Sequence, residues 1–325
     1  MSVTFADIER ASRRLAGFAA ETPLIESPLL NVRSGGRVLV KAECLQRTGS
    51  FKFRGAWNAV SQLDPARHKG GVVAYSSGNH AQGVAAAAQI KGLPALIVMP
   101  ADTPEIKQAN TRSYGSEVVT YDRAAESREA IAERHLRERG AVMIPPFDHP
   151  DVIAGQGTAG LELAEEAARR GVRLDDVLVC CSGGGLTAGV ALAMEARSPG
   201  TRVHTVEPAG FDDHARSLRS GRRESNPRAT GSICDALLAP QPGELTFAIN
   251  QPRLAEGLAV TDAEAAEAMR YAFAVLKLVL EPGGAVALAA VLSGRLDTKG
   301  RAIGIIASGG NADPELYAKI LRREI

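Results

Sequence analysis

The chain has 325 residues, 45% hydrophobic and 23% charged, with a net charge of +1 at pH 7. That describes a globular protein of one large or two smaller domains. Charges of both signs are interspersed, which leaves no electrostatic footprint for nucleic acid, and no apolar stretch reaches the roughly 18 uncharged residues of a membrane span.

In chain order, charges across residues 1–14 stand where a signal peptide needs an apolar core, so the cytoplasm is the expected compartment. A helix is expected to begin near Lys52. Strand-like runs at 71–75, 95–98, 117–121 and 141–144 alternate with helical patterns, including 84–90 and 126–139. A second set follows, with strands at 177–181, 201–206 and 302–307 and helices at 157–170, 262–277 and 284–292. Such alternation builds mainly parallel sheets flanked by helices. Pro145-Pro146 and Asn226-Pro227 mark loops. Cys44, Cys180, Cys181 and Cys234 fit no zinc spacing and are assigned no chemistry.

Four stretches carry candidate chemistry. The first is Thr48-Gly49-Ser50-Phe51-Lys52-Phe53-Arg54-Gly55, a lysine between two phenylalanines at a helix start. An apolar pocket and a helix N-terminus both disfavour the ammonium and leave an amine fit for a Schiff base. The second, Ser76-Ser77-Gly78-Asn79-His80-Ala81-Gln82-Gly83, joins a strand to a helix and offers donors to a carboxylate or phosphate. The third, Ser182-Gly183-Gly184-Gly185-Leu186, is a glycine-rich strand-to-helix turn suited to cradling phosphate, although neither a Walker loop nor GxGxxG. The fourth, Ser308-Gly309-Gly310-Asn311, puts a hydroxyl at a strand end. Taken singly, each also reads as an ordinary helix start or capped turn.

Together they resemble the pyridoxal-phosphate enzymes of the tryptophan-synthase-β-like fold (fold type II), in the threonine/serine dehydratase and serine racemase branch. The resemblance spans roughly 19–311. Its most specific parts are Ser50 to Gly55, Ser76 to Gln82, and Ile153-Ala154-Gly155-Gln156-Gly157-Thr158. It implies an α/β fold with two open twisted, mainly parallel sheets. A small domain, 48–145, would be inserted in a larger one, 1–47 and 146–325, with the active site in the cleft. Lys52 would hold pyridoxal 5'-phosphate and exchange the Cα proton. Asn79 would bond its phenolic oxygen, Ser182, Gly183, Gly184, Gly185 and Leu186 its phosphate, and Ser308 its ring nitrogen. Ser76, Ser77, Asn79 and His80 would surround the substrate carboxylate, and Phe51 and Gly231 would flank the ring.

Glu207-Pro208-Ala209-Gly210-Phe211-Asp212-Asp213 follows a strand directly. Glu207, the Phe211 carbonyl and Asp213 are hard oxygen ligands for Mg2+ or Ca2+, and without a cation the segment reads as a solvated acidic loop. Their spacing matches the divalent site of the racemase-like branch. Ser77 bears on activity, because in racemases the matching serine faces the lysine across Cα. The expected function is a dehydratase (ammonia-lyase) for L-serine or L-threonine. The alternatives are an amino-acid racemase and a threo-3-hydroxyaspartate dehydratase. The last needs a cation for its second carboxylate, from Arg54, Arg112 or Arg123. A homo-oligomer, dimer or tetramer, is expected.

Overall fold

The computed structural model describes residues 3–76, 78–103, 105–122 and 125–325. Helix α1 (Phe5–Leu15) opens the chain, with Asp7 accepting from the Thr4 backbone N–H at 2.9 Å. Strand β1 (Leu24–Glu26), helix α2 (Pro28–Ser34) and strand β2 (Arg37–Lys41) follow. Ser27 caps α2, and Pro28 takes the first helical position, where its missing N–H costs nothing.

Helix α3 (Lys52–Val60) leads into a run of alternating units: β3 (Val72–Tyr75), α4 (Asn79–Lys91), β4 (Ala95–Pro100), α5 (Glu105–Ser113), β5 (Glu117–Tyr121), α6 (Arg128–Arg139) and β6 (Val142–Met143). These four strands form one parallel sheet in the order β5-β4-β3-β6. Helix α7 (Pro150–Arg169) returns the chain to β7 (Asp176–Cys180), α8 (Gly185–Arg197), β8 (Arg202–Pro208), α9 (Asp213–Ser220), α10 (Glu244–Asn250), β9 (Leu254–Val260), α11 (Asp262–Tyr271), α12 (Pro282–Leu292), β10 (Ala302–Ile306) and α13 (Pro314–Leu321). The second sheet runs β1-β2-β10-β7-β8-β9, and only β1 is antiparallel to its neighbour. Two mainly parallel sheets flanked by helices are therefore present, as expected. No helix among the described residues is long and apolar enough to cross a membrane.

The larger core surrounds the six-stranded sheet, where Val38, Val40, Val177, Val179, Ile303 and Ile305 are fully buried. Such strands carry helices on both faces and so read as continuous apolar runs. The conspicuous 153–158 segment does packing rather than chemistry. A Cβ on Gly155 would lie 2.6 Å from the Arg54 carbonyl oxygen, and one on Gly55 would lie 2.5 Å from Gln156. Glycine at both positions lets α3 and α7 cross in direct backbone contact.

Some expected bounds shift. Helix α7 starts seven residues before 157, with Pro150 at its first position and His149 as cap. Helix α11 ends at Tyr271 and continues as one π-helical stretch, Ala272–Leu276, closed by Lys277 at φ 60. Strands β1, β2 and β9 were not expected.

Candidate active site

The first and fourth stretches lie side by side. Thr48 and Gly49 both take left-handed backbone, at φ 65 and 74, and turn the chain back toward the end of β10. The Phe51 N–H donates to the Ser308 carbonyl at 3.1 Å, the Gly310 N–H to the Gly49 carbonyl at 2.9 Å, and Asn311 Nδ2 to the Thr48 carbonyl at 2.8 Å. Lys52 then opens α3. Its Nζ donates to the Pro146 carbonyl at 2.7 Å and lies 5.2 Å from the centre of the Phe51 ring. Burial pulls the amine down from 10.5 to about 8, with Cys180 and Glu281 acting in the opposite direction.

The second stretch joins β3 to α4. Ser76 donates its N–H to Val98 and accepts the Gly78 N–H on Oγ at 3.2 Å. Ser77 lies outside the described residues, as does Arg123. Asn79 Oδ1 accepts from Asn311 Nδ2 at 2.7 Å, and Asn79 Nδ2 donates to Glu281 Oε1 at 2.5 Å. His80 is buried with Nε2 2.8 Å from the Ile144 carbonyl. That oxygen can only accept, so Nε2 carries the proton, and Nδ1, which has no partner among the described residues, does not. Burial, with Lys52 nearby, pulls His80 down to about 3 and keeps it neutral. What His80 offers an anion is its backbone N–H in the first turn of α4.

The third stretch runs from β7 into α8 as a left-handed turn, with Gly184 at φ 92. A Cβ on Gly183 would lie 2.4 Å from the Phe147 ring, and one on Gly184 would lie 2.6 Å from His214. Among the described residues, no backbone carbonyl accepts from the N–H groups of Gly183, Gly184, Gly185 or Leu186. Four free donors at a helix start fit a phosphate group. Ser182 Oγ accepts the Ala239 N–H at 3.1 Å, which leaves its own proton to donate. Ser308 is buried at the end of β10, where its Oγ accepts the Cys180 thiol proton at 3.1 Å. Phe51 is half-buried against the larger core, and Gly231 lies in the loop after α9 beside Arg228.

At the end of β8, Glu207 and Asp213 are both fully buried. Glu207 accepts the N–H groups of His214 and Ala215 at 2.9 and 2.8 Å, capping α9. Asp213 Oδ1 accepts from Asn226 at 2.6 Å, and its Oδ2 has no partner among the described residues. Burial pushes Asp213 up to about 7 and Glu207 well above the carboxylate range, and the Asp213 charge adds to the Glu207 shift. The Phe211 side chain is buried beneath the loop.

Sequence reasoning missed two groups beside the lysine. Glu281, pushed by burial up to about 7, bonds Asn79 from the start of α12. Its only sequence signal is an acidic residue before Pro282-Gly283-Gly284. Cys180, read as a packing residue, bonds Ser308. Of the three arginines considered, Arg54 is fully buried and saturated by Glu43 and Glu162 at 2.6–2.8 Å. Arg112 lies at the surface of α5, 3.0 Å from Gln108.

Comparison with known proteins matches residues 15–309 to the family described as pyridoxal-phosphate dependent enzyme. An L-threo-3-hydroxyaspartate ammonia-lyase of a Pseudomonas species is 44% identical over 98% of both chains. A serine racemase of Schizosaccharomyces pombe is 42% identical over 98% of this chain and 97% of its own. Among solved structures, the T.th. threonine deaminase superposes with a TM-score of 0.89 at 46% identity, covering 95% of this chain and 99% of the other.

Proposed function

The chain belongs to the family of pyridoxal-phosphate-dependent enzymes, and on that premise we propose that it is an ammonia-lyase converting L-serine or L-threonine to a 2-oxo acid and ammonia. The observation that carries this reading is the Lys52 amine. It is held at a pKa of about 8, bonded to the Pro146 carbonyl and near Cys180 and Glu281, which in turn bond Ser308 and Asn79. Pyridoxal phosphate, when bound, supplies the electron sink that makes a Cα proton removable.

The chain's own residues do the rest. Lys52 Nζ holds the cofactor and then takes the Cα proton. The N–H groups of Gly183, Gly184, Gly185 and Leu186 bind the phosphate, with the Ser182 hydroxyl as a further donor. Asn79 Nδ2 donates one hydrogen bond to Glu281, and its second N–H would be the donor for the cofactor's phenolic oxygen. Cys180 donates to Ser308 Oγ, so the Ser308 proton is free for the ring nitrogen. A hydroxyl there leaves that nitrogen largely neutral, which favours elimination over transamination. Ser76, Ser77 and the first-turn N–H groups at Asn79 and His80 receive the substrate carboxylate, with Phe51 and Gly231 flanking the ring. Residues 48–145 form a small domain set in 1–47 and 146–325, a division supported by the separate four-stranded sheet β5-β4-β3-β6.

Glu207, Asp213 and the Phe211 carbonyl would hold Mg2+ or Ca2+. Two adjacent buried carboxylates, one with an oxygen unpartnered among the described residues, support this. Four buried, unpaired cysteines support a reducing cytoplasm. Exposed Leu29, Val32 and Phe273 support a homo-oligomer, dimer or tetramer.

A second reading, action on L-threo-3-hydroxyaspartate, is supported by the 44% identity to the Pseudomonas ammonia-lyase for that substrate. The test of the main reading is Lys52→Ala. It should abolish the visible absorbance of lysine-bound cofactor and lower 2-oxo acid release by a factor on the order of 10^3. A folded variant that keeps both removes the assignment.

A further inference from the structure

We infer that His214, Thr246 and Asn250 are positioning residues that fix the glycine turn in its phosphate-binding shape, an inference resting on the reading of Gly183–Leu186 as the phosphate cradle. Three consecutive carbonyls of the turn each accept a side-chain hydrogen bond. His214 Nδ1 donates to Ser182 O at 3.1 Å, Thr246 Oγ1 to Gly183 O at 2.6 Å, and Asn250 Nδ2 to Gly184 O at 3.2 Å. All three side chains are fully buried. The acceptors are carbonyls, so His214 carries its proton on Nδ1, and its Nε2 accepts from Asn250 Nδ2 at 3.1 Å.

The consequence follows from peptide geometry. In a planar trans peptide the C=O and the following N–H point in opposite directions. Fixing the carbonyls of Ser182, Gly183 and Gly184 therefore fixes the N–H groups of Gly183, Gly184 and Gly185. Those are three of the four donors that have no carbonyl partner among the described residues. The Gly184 carbonyl also receives the Ala188 N–H, and the Gly183 carbonyl the Gly243 N–H, so the later two of these carbonyls are tied to α8 and to the start of α10 as well. Asp148 holds α10 in place by accepting the N–H groups of Glu244 and Thr246, both at 3.0 Å. The donors are ordered before any anion arrives, which spares the ordering loss on binding.

The test compares pyridoxal phosphate with pyridoxal, which lacks the phosphate, by titrating apoenzyme and following visible absorbance. Wild type should bind the phosphate ester far more tightly. Thr246→Val and Asn250→Ala should each weaken pyridoxal phosphate by about tenfold and leave pyridoxal unchanged, and Thr246→Ser should restore wild-type affinity. Variants that keep the wild-type ratio, or that weaken both ligands equally, overturn the inference. A wild type that binds the two ligands equally sinks the cradle reading itself. Should truncation block folding, His214→Gln provides the second measurement. The 31P resonance of its bound cofactor should shift from the wild-type position, and an unchanged resonance overturns the inference.

Discussion

Lys52 is the residue on which the proposed chemistry turns, and its environment sets a pH dependence. A free lysine amine is protonated up to about 10.4. Burial lowers Lys52 to about 8, so its neutral, nucleophilic fraction grows as pH rises through that value. The rate at which apoprotein captures added pyridoxal phosphate should climb with pH through about 8 and then level. Stopped-flow absorbance reads this directly, and a rate still climbing steeply near pH 10 would mean an unperturbed amine. Ser77 lies outside the described residues, and its prediction rests on sequence. Elimination from an L-substrate needs a proton removed on the lysine face alone, whereas racemisation needs a donor on the opposite face too. Ser77→Ala should keep most L-serine or L-threonine dehydration and lose any racemisation, followed by chiral chromatography. Persisting racemisation would assign that proton elsewhere. Lys52, Asn79 and Ser308 stood out in the sequence as candidates because each sits in a distinctive polar or apolar context at an element boundary. Glu281 and Cys180 were not, because each acquires meaning only from a partner some 130–200 residues away in sequence, Asn79 for one and Ser308 for the other.

At the scale of elements, the parallel units were legible where apolar runs met turn residues, as at β3, β7 and β10. Strand β1 has three residues, and β9 contains Ala255, Glu256 and Gly257, which dilute its pattern. Helix α7 was read short because glycine disfavours helix by about 1 kcal/mol, and its first turns carry Gly155 and Gly157. Their close approach to α3 and α8 outweighs that propensity. Arg54, which sequence offered as a substrate cation, instead joins α3 to Glu43 and to Glu162 of α7. Burial works against the Glu43 carboxylate, and Arg54, with Lys41 and Thr22, more than offsets it, holding its pKa below the usual range. The loop from β8 into α9 carries the metal prediction. A cation bound only by the folded chain stabilises it by mass action, about 2.7 kcal/mol at 100 times its dissociation constant. Chelation with EDTA should lower the unfolding midpoint, Mg2+ or Ca2+ should restore it, and Asp213→Ala should abolish the response. A wild type indifferent to thorough chelation would leave two buried carboxylates that only cap and tie α9, not the solvated loop that the sequence alone allowed.

At the scale of the whole molecule, the strand ends gather the site. Ser76 follows β3, Ser182 and the glycine turn follow β7, Glu207 lies near the end of β8, and Ser308 follows β10. This is the carboxyl edge at which open α/β sheets bind ligands. The opposite edge carries a recess of about 550 Å³ lined by Gly35, Arg37, Arg173 and Arg301, remote from these groups. Sequence order conveyed the two-sheet plan because each unit is local. Which strands lie side by side was not legible: β10 sits between β2 and β7, a pairing of distant segments that no local pattern encodes. The central claim is that this edge eliminates the β-hydroxyl of an amino acid. The direct measurement is 2-oxo acid and ammonia release from L-serine, L-threonine and L-threo-3-hydroxyaspartate, with the remaining amino acid resolved by enantiomer. The account predicts equal amounts of 2-oxo acid and ammonia from L-serine or L-threonine, formed faster than any inverted enantiomer. Inversion outrunning elimination, or no 2-oxo acid from either substrate, would contradict it.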